Sequence, residues 1–251
     1  MPILTIDNYR KTKNLLAGVY EVRQAPWWLP SGISESDVLA AYQFKGAVSE
    51  TYALQNIKNS ATYSLSKIGT PVWDSANGFT IPAVANTGLN NNDIGLISSV
   101  AVRFSDLNTT SNDVVGLIGS HELNLIMAKG CTAPGGAYTY YKTPTCSTNY
   151  QSGGIVASHK IGNGYGNGVL ICNPNSSTHS PVIYVNGIQQ TVSAYDWNYA
   201  DNFFRVTIGQ TYRKYKNDPA WGTIKIQAVA FYNVILNASQ AVEITEKMNA
   251  I

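Results

Sequence analysis

The chain has 251 residues, a length that suits one large β domain with a sizeable core. Only 13% of its residues are charged, well below the usual quarter, and a net charge of +2 is too small to argue for nucleic acid or an anionic membrane as partner. There is no run of about 18 apolar residues to span a membrane, and no basic and apolar leader in the opening Met1-Pro-Ile-Leu-Thr-Ile-Asp7, so neither a span nor a signal peptide is expected.

Residues 1–36 read differently from the rest and are expected to form an extended arm. Arg10, Lys11 and Lys13 make its first half basic, and Pro26 and Pro30 bracket Trp27 and Trp28. Prolines on both sides favour extended backbone and forbid a helix through the pair. Two adjacent indoles need burial, in the domain's own groove or against another subunit. Arg10, Lys11, Lys13, Trp27 and Trp28 are therefore the expected anchoring residues.

A strand is predicted over 36–47, with Val38, Ala40, Tyr42 and Phe44 on one face. A short helical turn follows at 49–57, then an extended stretch at 63–74, then the turn signal Asn77-Gly78 leading into Phe79-Thr-Ile81. This run of spaced features resembles the opening of concanavalin A-like domains in tailed-bacteriophage virion proteins. The resemblance implies a chain that enters a sandwich, lays a small helix across one end and returns through a Trp-Asp strand.

The middle alternates predicted strands (96–104, 114–118 and 122–128) with turns rich in Gly and Asn, and 130–154 reads as a looser region. Cys131 and Cys146 flank that region, and the chain's third cysteine, Cys172, sits in an apolar run. Three reduced thiols are expected, the alternative being a disulfide between Cys131 and Cys146. The clearest hairpin is 181–192, where Asn186-Gly187 supplies the two positive-φ positions of a type I′ turn. After a strand at 203–209 comes the closing one at 222–233, with Ile224, Ile226, Ala228, Ala230 and Tyr232 on one face and Val229 and Phe231 on the other. Asn237 is a good N-cap with Gln240 three residues on, and Ala241, Ile244, Met248 and Ile251 recur at helical spacing. The hairpin and the closing strand and helix are similar to those of laminin G-like sandwiches. Short strands and frequent turns independently argue for the same class. The expected fold is all-β: a two-sheet concanavalin A-like jelly roll over 37–251, with the arm before it and a short C-terminal helix.

Fold alone does not decide chemistry. Hydrolases of this fold pair two carboxylates on one strand, whereas the chain's sole Glu-x-Asp is Glu35-Ser-Asp37, followed by no third acid. His121, His159 and His179 are scattered, and no nucleophile elbow or zinc spacing occurs. No enzyme activity and no cofactor are expected. Calcium is the one metal worth weighing, on oxygens from Asn90–Asp93, Asp106 and Asn108. Tyr138, Tyr140, Tyr141, Trp197, Tyr199, Tyr212, Tyr215 and Trp221 fall in segments that read as loops, where flat rings suit glycan or protein contacts.

The expected role is a non-enzymatic structural protein of a tailed-phage virion, on head or tail, held by its arm to capsid or tail subunits and forming a homo-oligomer. It would be made in the host cytoplasm and exposed on the particle. The alternative is a glycan-binding adhesin or receptor-binding module recognising host-surface or mucosal glycans, and behind that a divergent glycoside hydrolase. Neither nucleic acid nor a membrane is an expected partner.

Overall fold

The computed structural model describes residues 26–82, 84, 87–91, 93–106, 115–120, 125–130, 137–141, 155–160, 168–173, 182–189, 206–209 and 223–251. Arg10, Lys11, Lys13, Cys131, Cys146, His121, His179, Trp197, Tyr199, Tyr212, Tyr215 and Trp221 lie outside them.

Two antiparallel sheets face each other. The eight-stranded sheet runs β13 (Ile188–Gln189), β12 (Val182–Val185), β11 (Gly168–Asn173), β6 (Ser99–Ser105), β15 (Ile224–Tyr232), β4 (Gly78–Ile81) and β3 (Val72–Asp74). Its remaining strand, β1 (Val38–Gln43), also pairs with β15. The seven-stranded sheet runs β10 (Ile155–Lys160), β9 (Ala137–Tyr141), β8 (Leu125–Gly130), β7 (Val115–Ser120), β14 (Val206–Ile208), β5 (Gly88–Asn90) and β2 (Ser66–Ile68). Helix α1 (Glu50–Ala53) follows β1, and α2 (Ala238–Asn249) follows β15. The expected all-β sandwich with a short C-terminal helix is thus the observed fold.

β15 is its axis. One edge pairs with β6 along the strand; the other is shared by β4 at Ile224–Ile226 and β1 at Ala228–Tyr232. Between Ile226 and Ala228 the register to β6 slips, and this bulge swaps the faces of the strand. Ile224 and Ile226 therefore join Val229 and Phe231 in the core between the sheets, while Ala228, Ala230 and Tyr232 line the outer face. This corrects the expectation that Ile224 and Ile226 share a face with Ala228, Ala230 and Tyr232. A second slip, between Val38 and Ala40, does the same in β1: Val38 packs outside, away from Ala40, Tyr42 and Phe44.

The outer face is paved with Ala41, Ala101, Ala228 and Ala230, whose small side chains let a helix lie close. Onto it α2 sets Ala241, Ile244 and Met248, all fully buried. The helix starts where the sequence places it. Asn237 Oδ1 accepts the amide of Gln240 at 3.0 Å, and Gln240 Oε1 accepts the amide of Asn237 at 2.9 Å. At its far end Arg103 Nη1 donates to the carbonyl of Met248 and, at 2.7 Å, to that of Ile251. The guanidinium there complements the C-terminal end of the helix dipole.

Residues 26–36 are part of this body. Trp28 is only 6% exposed and packs in the outer-face cluster with α2, while Trp27, Leu29 and Ile33 lean on the same cluster. Ser31 donates its amide to Glu243 at 2.8 Å and accepts from Gln240 at 3.2 Å, and Lys247 reaches the Leu29 carbonyl at 3.0 Å. The arm boundary expected at residue 36 therefore falls inside the packed domain. Trp28 fills a groove of its own chain.

Two buried phenols hold backbone carbonyls of neighbouring segments. Tyr232 Oη donates to the Trp28 carbonyl at 3.0 Å, and Tyr42 Oη donates to the carbonyl of Tyr63. Burial raises both above the ordinary 10.0, against a smaller opposing effect of Asn91 on Tyr42. Because the folded-state values are raised, the stability they confer is complete below pH ~10 and lost as pH climbs beyond it. The melting temperature should fall between pH ~10 and ~12, and Tyr232→Phe should flatten that fall. Equal slopes for the two proteins would mean that other groups govern alkaline unfolding.

Candidate functional site

The structure places the expected site residues in different parts of the fold. Glu35-Ser-Asp37 forms a 3-10 turn before β1. Asp37 Oδ2 accepts the Ser34 amide at 2.9 Å and the Ser34 hydroxyl at 2.6 Å, and these bonds hold its carboxyl below the usual carboxylate range. The carboxylate caps a turn at the surface rather than sharing a strand face with a second acid.

The oxygens weighed for calcium diverge as well. Asp93 Oδ1 accepts the Gly95 amide at 2.9 Å, Asp106 pairs with Lys225 at 2.5 Å, and the Asn91 amide group faces inward to Tyr42. Asn92 and Asn108 lie outside the described residues. Among the described residues no three His, Cys, Asp or Glu come together as a metal set.

Tyr138, Tyr140 and Tyr141 are not in a loop. They form most of β9, one strand in from the β10 edge of the seven-stranded sheet. Tyr138 stands opposite Lys129 of β8 and His159 of β10; Tyr140 stands opposite Ala157, and Tyr141 opposite Ile155. Positions 138 and 140 share one face of the sheet by simple alternation. That period-2 spacing was the available strand signal, obscured by the glycines and prolines around it.

Trp27 is half-buried and donates Nε1–H to Gln43 Oε1 at 3.1 Å. It lies beside Trp28 on the α2 side of the domain, where the chain enters the body at Pro26. The seven-stranded sheet, and β9 with it, is on the opposite side of the sandwich.

A further aromatic, Tyr63, stands between α1 and β2 at one end of the sandwich. The preceding turn is ordered by its own bonds: the Asn59 carbonyl accepts the Thr62 amide at 3.0 Å and the Thr62 hydroxyl at 3.2 Å. Just after Tyr63, the Leu65 amide donates to the Leu54 carbonyl at 2.8 Å, fixing the segment to the end of α1. Behind it, Tyr42 Oη holds the Tyr63 carbonyl and itself accepts from Asn91 Nδ2, while Asn91 Oδ1 is buried without a hydrogen-bond partner.

No protein-family model and no curated protein matches the chain. Solved structures do resemble it. The Trypanosoma rangeli sialidase in complex with sialic acid superposes with a TM-score of 0.56 at 10% identity, over 86% of this chain and 33% of that one. The receptor-binding domain of botulinum neurotoxin C/D mosaic serotype gives 0.56 at 12% identity, over 85% and 52%. The binding domain of botulinum neurotoxin serotype D/C VPI 5993 gives 0.59 at 10%, over 85% and 53%. The chain spans about a third to a half of the length of these proteins, and at such identities the likeness shows the β-sandwich fold.

Proposed function

We propose that this chain is a non-enzymatic, glycan-recognising β-sandwich carried on the virion of a tailed phage and attached through the residues before Pro26. The observation that carries the reading is the closure of one side. Helix α2 and residues 26–36 cover the outer face of the eight-stranded sheet, and the chain enters there, so the seven-stranded sheet with the tyrosines of β9 is left on the far side. A module that enters from one side and carries its second sheet on the other suits display.

Two further lines support it. Similar folds serve a sialidase seen with sialic acid and the receptor-binding domain of a botulinum neurotoxin, both recognition settings. The sequence of the opening run, through Trp73-Asp74 to Phe79-Thr-Ile81, resembles the opening of concanavalin A-like domains of tailed-phage virion proteins. Against catalysis stands the use of Asp37 as a turn cap. Basic Arg10, Lys11 and Lys13 would engage capsid or tail subunits, and several copies on a particle would raise avidity for repeated surface glycans.

Purified full-length protein should bind sialylated or hexose-terminated oligosaccharides on an array and release no reducing ends from those it binds. Antibody against the sandwich should label intact particles of the phage that encodes it. A chain that binds none of these sugars, or cleaves them, is not the module proposed; unlabelled particles would remove the virion assignment.

A further inference from the structure

Among the described residues three that are not glycine have positive φ: Tyr63 at 59°, Asp106 at 57° and Asn186 at 50°. Short Asp and Asn side chains tolerate this region; a tyrosine gains nothing from it and meets its own backbone. Such a residue persists only where its surroundings over-determine it, and residues of this kind cluster at ligand sites.

The surroundings of Tyr63 do over-determine it. Tyr42, which holds its carbonyl, is fully buried, stacked on Phe44 at 6.3 Å and edge-on to Phe231 at 6.4 Å. Asn91, which donates to Tyr42, is 2% exposed. The core thus grips the backbone of residue 63 through two buried side chains, with the Asn59–Thr62 turn ordered before it and the Leu65 to Leu54 bond closing after it. Tyr63 itself remains 36% exposed, flanked by exposed Ser64 and half-buried Thr62. A tyrosine needed only for packing would sit inside in a relaxed backbone; this one keeps a strained, anchored backbone and about a third of its surface in solvent.

We propose that Tyr63 is a preorganised sugar-stacking ring, on which the C–H face of a pyranose lies, with the hydroxyls of Thr62 and Ser64 at its margin as hydrogen-bonding groups. The proposal rests on the glycan reading given under Proposed function and adds a contact at the α1 end of the sandwich. A backbone held in place before binding loses little freedom on contact, which favours a weak ligand presented many times over.

The test uses the full chain and the array glycan that wild type binds best, with affinity measured by calorimetry beside the melting temperature. Tyr63→Ala should weaken binding by about tenfold or more, the size of one lost aromatic contact, and Tyr63→Phe should stay within about threefold. Tyr63→Gly relaxes the positive φ, so it should melt no lower than Tyr63→Ala and lose binding equally. Wild-type affinity in the Ala and Gly variants would overturn the role of Tyr63 while leaving the glycan reading intact. A wild-type protein that binds no array sugar would overturn both.

Discussion

Replacing Gly78 with alanine should destabilise the sandwich more than any other single added methyl at a described glycine of the β3–β4 hairpin or its flanks. Gly78 opens β4 with φ +82°. A Cβ there would stand 2.4 Å from the Ile226 carbonyl oxygen and 3.1 Å from the Gln227 Cα, both backbone atoms. They cannot retreat, because Ile226 is paired with Phe79 on one side and Phe104 on the other, and the β15 bulge begins at the next residue. Adding the cost of positive φ to that of a clash with fixed backbone gives about 2–5 kcal/mol. Gly46 provides the control. Its φ is +75°, yet a Cβ would meet nothing closer than the flexible Gln43 side chain at 3.6 Å, so Gly46→Ala should show the conformational part alone, about 1–2 kcal/mol. Chemical denaturation of the two variants measures the difference. If both lose the same stability, the Ile226 contact gives way more easily than the sheet register implies.

Much of this fold is legible in the chain because its signals are local. Asn237 and Gln240 form the capping box that their spacing announces, and Asn186 and Gly187 take the two positive φ angles of a tight hairpin. Asn186 adds a bond that the pair alone does not foretell, its Oδ1 accepting the Val169 amide at 2.9 Å. What the chain hides depends on partners distant in sequence. The β15 bulge exists because that strand passes from β4 to β1 along one edge, so alternation read straight through Ile224–Tyr232 assigns half of the strand to the wrong face. The same holds for the site. Tyr63 is itself neither glycine nor asparagine, the residues that would flag an unusual backbone, and its carbonyl is held by Tyr42, 21 positions away, which Asn91 supports in turn. The tyrosines of β9 were hidden in another way, by turn-rich sequence on both sides of a five-residue strand. Burial of Trp28 was one of two outcomes that the sequence left open, and only the groove beneath α2 decides between them.

Trp28→Ala should rank with Gly78→Ala. The indole is buried to 6% among Ala241, Ile244, Met248 and Tyr232, and its own carbonyl accepts the Tyr232 hydroxyl at 3.0 Å. Truncating a buried tryptophan costs about 3–5 kcal/mol, from lost transfer energy and from the cavity left behind. The loss is concentrated on one contact surface, the seam between residues 26–36 and α2, so the helix should loosen with it. Trp27→Ala removes a half-buried ring and one hydrogen bond to Gln43, and about 1–2 kcal/mol is the expected cost. Two truncations then locate the boundary between tether and domain. Removing residues 1–25 and removing residues 1–36 should differ by at least the Trp28→Ala penalty, because only the second deletes the indole, the Ser31 bonds to Glu243 and Gln240, and the Leu29 carbonyl that receives Lys247. Equal stability of the two truncated proteins would return residues 26–36 to the arm and free Trp28 for a partner. A large gap leaves attachment to the residues before Pro26, with the basic Arg10, Lys11 and Lys13 among its charged groups.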